Sequence, residues 1–455
     1  MKGPIKRLAI AALFLPAIAM AASWWNGDWK YRKEISFDLS PAGADIAGTP
    51  QDVPVLVRLS LGNFSYFNDT KADGSDFRVI AGDDKTPLKF HFEKYDPQNQ
   101  MALLWIKVPQ LTAGSKTDKL YAYYGNPDAP SAADVPGTYD ASQVLVLSFS
   151  DPNASGMPAD LTAYKNNPSA STAVLTPASL IGAGAKFSGK ESISIPATPS
   201  LRLLANQGVT ASAWVRVEQP QQAVVLALAD GPKEISLGIE GNKFTARAVL
   251  GGSPVTVTQS ADFTLNQWHH VALTAGAGKL TLFVDGVAAG SAPVTLDELG
   301  GAFTIGALNG ARFLSGDVDE VEVSKVVRSA DWIKASVRGQ GMDGNLLVYG
   351  ADGQKEGGSQ TSYFVTIAKN LTIDGWVVIG ICMAMLVLAL IIMVVKALFL
   401  RRVERANTQF LREFRRLSGD AAALDKPAAE GEADDFEVDA PSMSSLRGDQ
   451  NKFGA

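Results

Sequence analysis

A mainly β ectodomain carried on one membrane-crossing helix is the fold class this sequence predicts, and three observations predict it. Short apolar/polar alternations recur from Arg32 to Val323, separated by turn-rich stretches such as Ala72-Asp73-Gly74 and Gly82-Asp83-Asp84, at the spacing of β-sandwiches. Trp376 to Val395 then runs for twenty residues with no charge, proline, Asn or Gln. At about 1.5 Å rise per residue such a helix spans roughly 30 Å, the thickness of a bilayer's hydrocarbon core. Finally, the chain opens with Lys2, Lys6 and Arg7, an apolar run from Leu8 to Met20 and the small-residue pattern Ala19-Met20-Ala21. That is the pattern of a signal peptide, here residues 1–21, and it implies export.

A first β-module is expected over residues 22–138. Arg32 to Leu39 alternates with Ile35, Phe37 and Leu39 on one face, and strands follow at 53–59, 77–81, 88–93, 102–108 and 119–124. The aromatics Trp24, Trp25, Trp29 and Tyr31 are read as core plugging one end of the sandwich rather than as a glycan-stacking surface. The stretches WWNGDWKYRKEI, GSDFRVIAGDDKTPLKFHFEKYD, ALLWIKVPQL and LYAYYGNPDA resemble a bacterial extracytoplasmic β-module of unknown function. That resemblance covers residues 24–130 and transfers no catalytic residue.

A Pro/Ala/Gly-rich joint, Pro127 to Gly137, leads into a second module over 140–350, with strands from Val144 to Val323 and a helix from Ser329 to Val337 capped by Ser329. Leu346 to Tyr349 reads as a last strand returning to the sandwiches, and Asp285-Gly286 as a hairpin turn, since that pair tolerates positive φ. The segments GAKFSGKESISIP, VTASAWVRV, NQWHHVALT, KLTLFVDGV and FTIGALNGARFLSGDVDEVEVSKVVRS are similar to laminin-G/concanavalin A-like jelly-roll sandwiches. The resemblance implies binding of glycans, peptides or matrix proteins, in some members through Ca²⁺.

Within it the loop Gly306 to Gly316 is the expected ligand site. Arg312 offers a planar donor fork, Phe313 a stacking face, and Asp317 and Asp319 carboxylates that could hold Ca²⁺, the one cofactor considered. Phe313 packing inward as a strand residue is the alternative. His269-His270 is read as core, because adjacent strand residues point to opposite faces and cannot ligate one ion. A concanavalin A-like glycoside hydrolase would need paired carboxylates, for which Asp317/Asp319 and Glu320/Glu322 are the near candidates. The expected chemistry is therefore binding, not catalysis.

Residues 351–374 read as a linker, 375–400 as the membrane helix, 401–418 as its basic extension and 419–455 as a disordered acidic tail. Residues 401–416 hold six Arg and two Glu, whereas 417–455 hold nine acids and three bases. Positive-inside asymmetry thus sets the C-terminus in the cytoplasm and the ectodomain outside. No basic surplus marks the ectodomain, which excludes nucleic acid as a partner. The only cysteine, Cys382, lies in the span, so the ectodomain folds without disulfides. Gly380 and Ala384 have small-xxx-small spacing, and Val403, Phe410 and Phe414 continue an apolar stripe that needs a partner helix or lipid.

Residues 374–417 resemble the first membrane helix and following cytoplasmic helix of the MotA/TolQ/ExbB proton-channel family. The resemblance implies a bacterial inner-membrane protein with ExbB/ExbD- or TolQ/TolR-like partners, active in biopolymer transport. Members carry two further membrane helices that this chain does not show, so it cannot conduct protons alone. The alternative is a single-pass adhesin or receptor without a motor.

Overall fold

The computed structural model describes residues 24–355 and 373–419. They divide into two units, the β region and a long helix. The signal peptide and the acidic tail predicted above lie outside the described residues, as does most of the linker.

The first module contributes strands β1 (Tyr31–Phe37), β2 (Gln51–Ser60), β3 (Arg78–Ala81), β4 (Phe90–Asp96), β5 (Met101–Gln110) and β6 (Lys119–Tyr124). Alternation in β1 sends Ile35 and Phe37 into a core shared with Val53, Val55 and Val57 of β2 and Leu104 and Ile106 of β5. The aromatics at its N-terminus divide. Trp24, Trp25 and Trp29 pack on Ile80, Tyr121 and Tyr123, while Tyr31 stacks on Tyr66 and Tyr124 in the core. Arg32 lies 4.8 Å from the Trp24 ring and 4.4 Å from that of Tyr121.

The second module begins with β7 (Gln143–Leu147), β8 (Ala170–Ser171), β9 (Val174–Thr176), β10 (Gly184–Ser188) and β11 (Ile193–Ile195). Next come β12 (Val209–Arg216), β13 (Gln221–Asp230), β14 (Lys233–Gly241), β15 (Lys243–Val249) and β16 (Val255–Thr258). It is completed by β17 (Trp268–Gly276), β18 (Lys279–Val284), β19 (Val287–Pro293), β20 (Ala302–Ile305) and β21 (Ser315–Ser324). They form a concanavalin A-like jelly roll of two antiparallel sheets. One runs β19-β18-β17-β12-β21-β10-β9 with β7 beside β21, the other β16-β15-β14-β13-β20-β11-β8. Val271, Leu273, Val318, Val321 and Val323 from the first meet Val225, Leu237, Ile239 and Phe244 from the second.

Helix α1 (Ala330–Gln340) extends three residues past the expected end and begins where expected, with the Ser329 hydroxyl accepting the Trp332 N–H at 3.1 Å. It lies on the outer face of the β17–β18 layer. There Trp332, Ile333 and Ala335 join Ala272 and Phe283 in the core of the first module.

The last strand, β22 (Leu347–Gln354), corrects two boundaries. It pairs with β1, not with the second module, in a four-stranded sheet ordered β22-β1-β6-β3. It also runs into residues 351–354, assigned above to the linker. The second module therefore keeps its own core and lends α1, β22, Ala272 and Phe283 to the first module, so residues 22–138 lack an edge strand of their own sheet.

The second unit is one helix, α2 (Ile373–Gly419), in which the predicted span and its basic extension are continuous. Its segment Ile381–Arg412 is long and apolar enough to cross a membrane. Cys382, Ala384, Val403 and Phe410 are exposed within this unit; the surroundings of Gly380 and Phe414 lie outside the described residues.

Candidate functional site

The hairpin between β18 and β19 is the first positioning device. Asp285 and Gly286 take φ of 51° and 82°, the geometry of a type I′ turn closed by the Val284–Val287 pair. A side chain at Gly286 would meet the Lys334 Cα at 3.2 Å, so the turn packs directly on α1. Asp285 then accepts the His270 N–H at 2.9 Å and faces His269 Nδ1 at 2.8 Å.

The two histidines part as strand geometry requires. His269 Nε2 faces the Thr264 carbonyl at 3.0 Å. Both of its ring nitrogens thus meet acceptors, the arrangement that suits the imidazolium. Burial opposes that cation, but Asp285 and the Thr264 carbonyl outweigh it and hold the pKa above the ordinary value. His270 is buried on the other face, edge-on to Trp214, and burial lowers its pKa to about 4.

The second device is the end of α1. Gln340 accepts the Trp214 Nε1–H at 2.7 Å and donates to Glu322 at 3.0 Å, while Gln143 donates to the other Glu322 oxygen at 3.1 Å. This buried chain pins the helix terminus to β12 and β21. The turn Gly341-Met342-Asp343-Gly344 leaves it so tightly that a Cβ at Gly344 would lie 2.0 Å from the Arg338 carbonyl oxygen; only glycine fits.

Between that turn and the start of β17 opens a cleft of about 470 Å³. Trp214 and the half-buried Trp268 supply aromatic surface, and Asn266, Gln267, Asp285, Arg338 and Asp343 supply polar groups. The Arg216 guanidinium lies 5.2 Å from the Trp268 ring centroid and is held by Asp317 at 2.8 Å. Aromatic surface beside planar hydrogen-bonding groups suits a sugar or a peptide.

The structure distributes the sequence-predicted site residues differently. Arg312, at φ 52°, gives its carbonyl to the Val224 N–H at 2.8 Å, on β13 of the other sheet. Phe313 is half-buried. Asp317 is nearly buried against Arg216. Asp319 is fully buried and accepts the Ile181 and Glu320 N–H groups, each at 2.9 Å. The expected calcium therefore meets two acids already engaged. Among the described residues no group of three or more His, Cys, Asp or Glu is arranged to hold a metal ion.

The acids of β21 instead form a buried cluster at the junction of the modules. Asp319 and Glu320 have pKa values raised well above the carboxylate range, by burial first and then by the nearby Glu93 charge. Glu93 of β4, which accepts from Trp105 Nε1 at 2.7 Å and Ser150 Oγ at 2.5 Å, is raised by the same burial. Glu320 Oε1 has no hydrogen-bond partner. Trp268, Arg338 and Asp343, which line the cleft beside Gly341–Gly344, are not among the residues the sequence singles out. A tryptophan after Asn-Gln and a Gly-Met-Asp-Gly turn after a helix are visible locally, but their meeting across some seventy positions is not.

Comparison with known proteins agrees with this architecture. Residues 187–334 match the concanavalin A-like lectin/glucanases superfamily, and residues 73–156 match a domain of unknown function, DUF2341. Neither match reaches α2. Among curated proteins none matches the chain. Similar solved structures include the binding domain of Paraclostridial Mosquitocidal Protein 1, at 15% identity and TM-score 0.38, covering 43% of this chain and 52% of that one. The botulinum neurotoxin serotype G binding domain matches at 11% identity and TM-score 0.37, over 43% and 50%. The receptor binding domain of botulinum neurotoxin D matches at 14% and 0.37, over 44% and 53%. The chain thus spans about half the length of each.

Proposed function

We propose that the chain is a single-pass envelope protein whose β unit binds a polymer, a glycan or an envelope protein, at the cleft beside Gly341–Gly344, without catalysis. The observation that carries this reading is the convergence of Trp268, Asn266, Gln267, Asp285, Arg338 and Asp343 on one open cleft. Concanavalin A-like folds include glycosidases, which work with two carboxyls roughly 5–10 Å apart across the scissile bond. The β21 acids Asp317, Asp319, Glu320 and Glu322 are buried, which favours binding over hydrolysis. The detergent-solubilised chain applied to glycan and peptide arrays tests this. Trp268→Ala is expected to weaken binding at least tenfold, a loss of about 1.4 kcal/mol. Binding that survives Trp268→Ala and falls with Arg312→Ala overturns it in favour of the Gly306–Gly316 loop.

The bacterial inner membrane, with the β unit outside and the C-terminus in the cytoplasm, is the location that Lys396, Arg401, Arg402 and Arg405 support by following the uncharged run Trp376–Val395. The motor reading is supported by the unbroken α2 and by Val403, exposed on the apolar stripe of its basic part. An ExbB- or TolQ-like channel subunit would cover that stripe. Photo-crosslinking from positions 403 and 410 in intact membranes is expected to capture a multi-span partner. Recovery of the uncrosslinked chain alone contradicts the motor and leaves the free-standing adhesin.

A further inference from the structure

Across the Gly341–Gly344 turn from Trp268 lies a second cleft of about 220 Å³, bounded by β2, the end of α1 and β22. Its chemistry differs from that of the first. Arg58, Arg338, Tyr349, Ser60 and Asn63 supply its polar groups, and no Asp or Glu lines it. Arg58 Nη2 donates to the Gln340 carbonyl at 2.5 Å and Nη1 to that of Gly339 at 3.5 Å. A guanidinium has five N–H groups, so those two bonds fix its plane and leave donors over. The Tyr349 hydroxyl accepts the Arg58 backbone N–H at 3.2 Å, which leaves its own proton to donate.

Charge points the same way. Arg32, Arg202, Arg216, Arg247 and Arg328 each have a carboxylate within ion-pair distance. Among the described residues of the β unit Arg58, Arg78, Arg312 and Arg338 do not, and of these Arg58 and Arg338 line this cleft together. The acids electrostatically nearest Arg58 are Glu320, Glu93 and Asp319, all buried and held toward their neutral forms. The C-terminal carbonyls of α1 repel an anion, but a helix end carries roughly half a charge and two guanidiniums outweigh it.

We infer that the Arg58–Arg338 cleft is an oxyanion subsite and that the ligand is an acidic glycan, with a sugar ring beside Trp268 and a carboxylate or sulfate between the two guanidiniums. This rests on the polymer-binding reading above and names its substrate class. Arg338, Gly341, Met342 and Gly344 line both clefts, so one oligomer laid over the turn meets both. Planar guanidinium donors match a carboxylate or sulfate better than a neutral hydroxyl.

The test uses the full chain in detergent with three probes: oligogalacturonate, its methyl ester and a heparin-derived oligosaccharide. The acid is expected to bind about tenfold to a hundredfold more tightly than the ester, the range of a charge-assisted hydrogen bond. That preference should shrink with added salt and vanish in Arg338→Gln, whose guanidinium makes no hydrogen bond or close ion pair among the described residues and feels only the charge of Asp45. A heparin preference over galacturonate supports the subsite and identifies sulfate as the group it takes. Equal binding of acid and ester, both lost in Trp268→Ala, overturns the subsite and spares the polymer-binding reading. No binding of any probe overturns the inference, and the glycan and peptide arrays then decide the polymer-binding reading. An acid preference that persists in Arg338→Gln and in Arg58→Gln, each checked by its unfolding transition, seats the anion elsewhere and overturns the inference.

Discussion

Asp352→Ala is expected to destabilise the β unit by about 3–5 kcal/mol, the effect of stranding a buried charge. Lys33 of β1 is 2% exposed, and among the described residues its Nζ reaches only into β22, to the Gly350 carbonyl at 2.9 Å and Asp352 at 3.2 Å. The other Asp352 oxygen accepts the buried Tyr124 hydroxyl at 2.8 Å. Removing the carboxylate leaves an ammonium and a phenol in the core without it. Adding Lys33→Met should recover much of the loss, since an apolar replacement of a buried pair is often nearly neutral. Chemical denaturation of the four members of this cycle measures both. A loss below 1 kcal/mol for Asp352→Ala would mean that β22 does not close the first module. A fragment ending at residue 350 carries the same defect; one ending at 355 retains Asp352.

Glu320→Gln is expected to do the opposite above neutral pH, stabilising the unit by about 2 kcal/mol at pH 8. In the unfolded chain Glu320 and Asp319 titrate near their ordinary values of 4.5 and 3.8, and burial raises both well above these in the folded unit. The folded state therefore holds more protons. Its stability falls as pH climbs from the ordinary carboxylate range through the raised values. His91 and His270 work the other way. Burial lowers each to about 4 from an ordinary 6.5, so their contribution is complete above 6.5 and is lost as pH falls toward 4. Between the ordinary carboxylate range and 6.5 the two effects oppose each other, and above 6.5, where the histidines add nothing further, the wild-type stability should fall with pH. The gap between wild type and Glu320→Gln should widen as pH rises above the ordinary carboxylate range. A gap that stays constant with pH would show that Glu320 ionises normally.

Much of the β architecture was legible because its signals are local. Strand β6 was placed at both ends, and Asp285-Gly286 declared its turn because few residue pairs tolerate two positive φ values. Of strand β19 only the start after the turn was legible, because Val-Ala-Ala-Gly-Ser-Ala-Pro has no alternation that marks its extent. The strand after α1 was expected, but its partner β1 lies some three hundred positions earlier, and no local pattern names it. The same limit governed the site. A spacing of two placed Asp317 and Asp319 on one face of β21, yet Arg216 pairs with Asp317 and Asp319 is buried beside Glu93 of the first module, so the acids read as a surface cation site are already engaged. Trp268 escaped notice because its strand position looked structural; it became cleft surface only through the end of α1 and the turn beyond it.

The central claim, that ligand sits at the junction of the two modules, is tested most directly by amide hydrogen exchange of the full chain with and without saturating oligogalacturonate. Protection is predicted at residues 266–268 and 338–344, with a second patch around Arg58 and Tyr349. Protection confined to residues 306–316, with the junction unchanged, would contradict it.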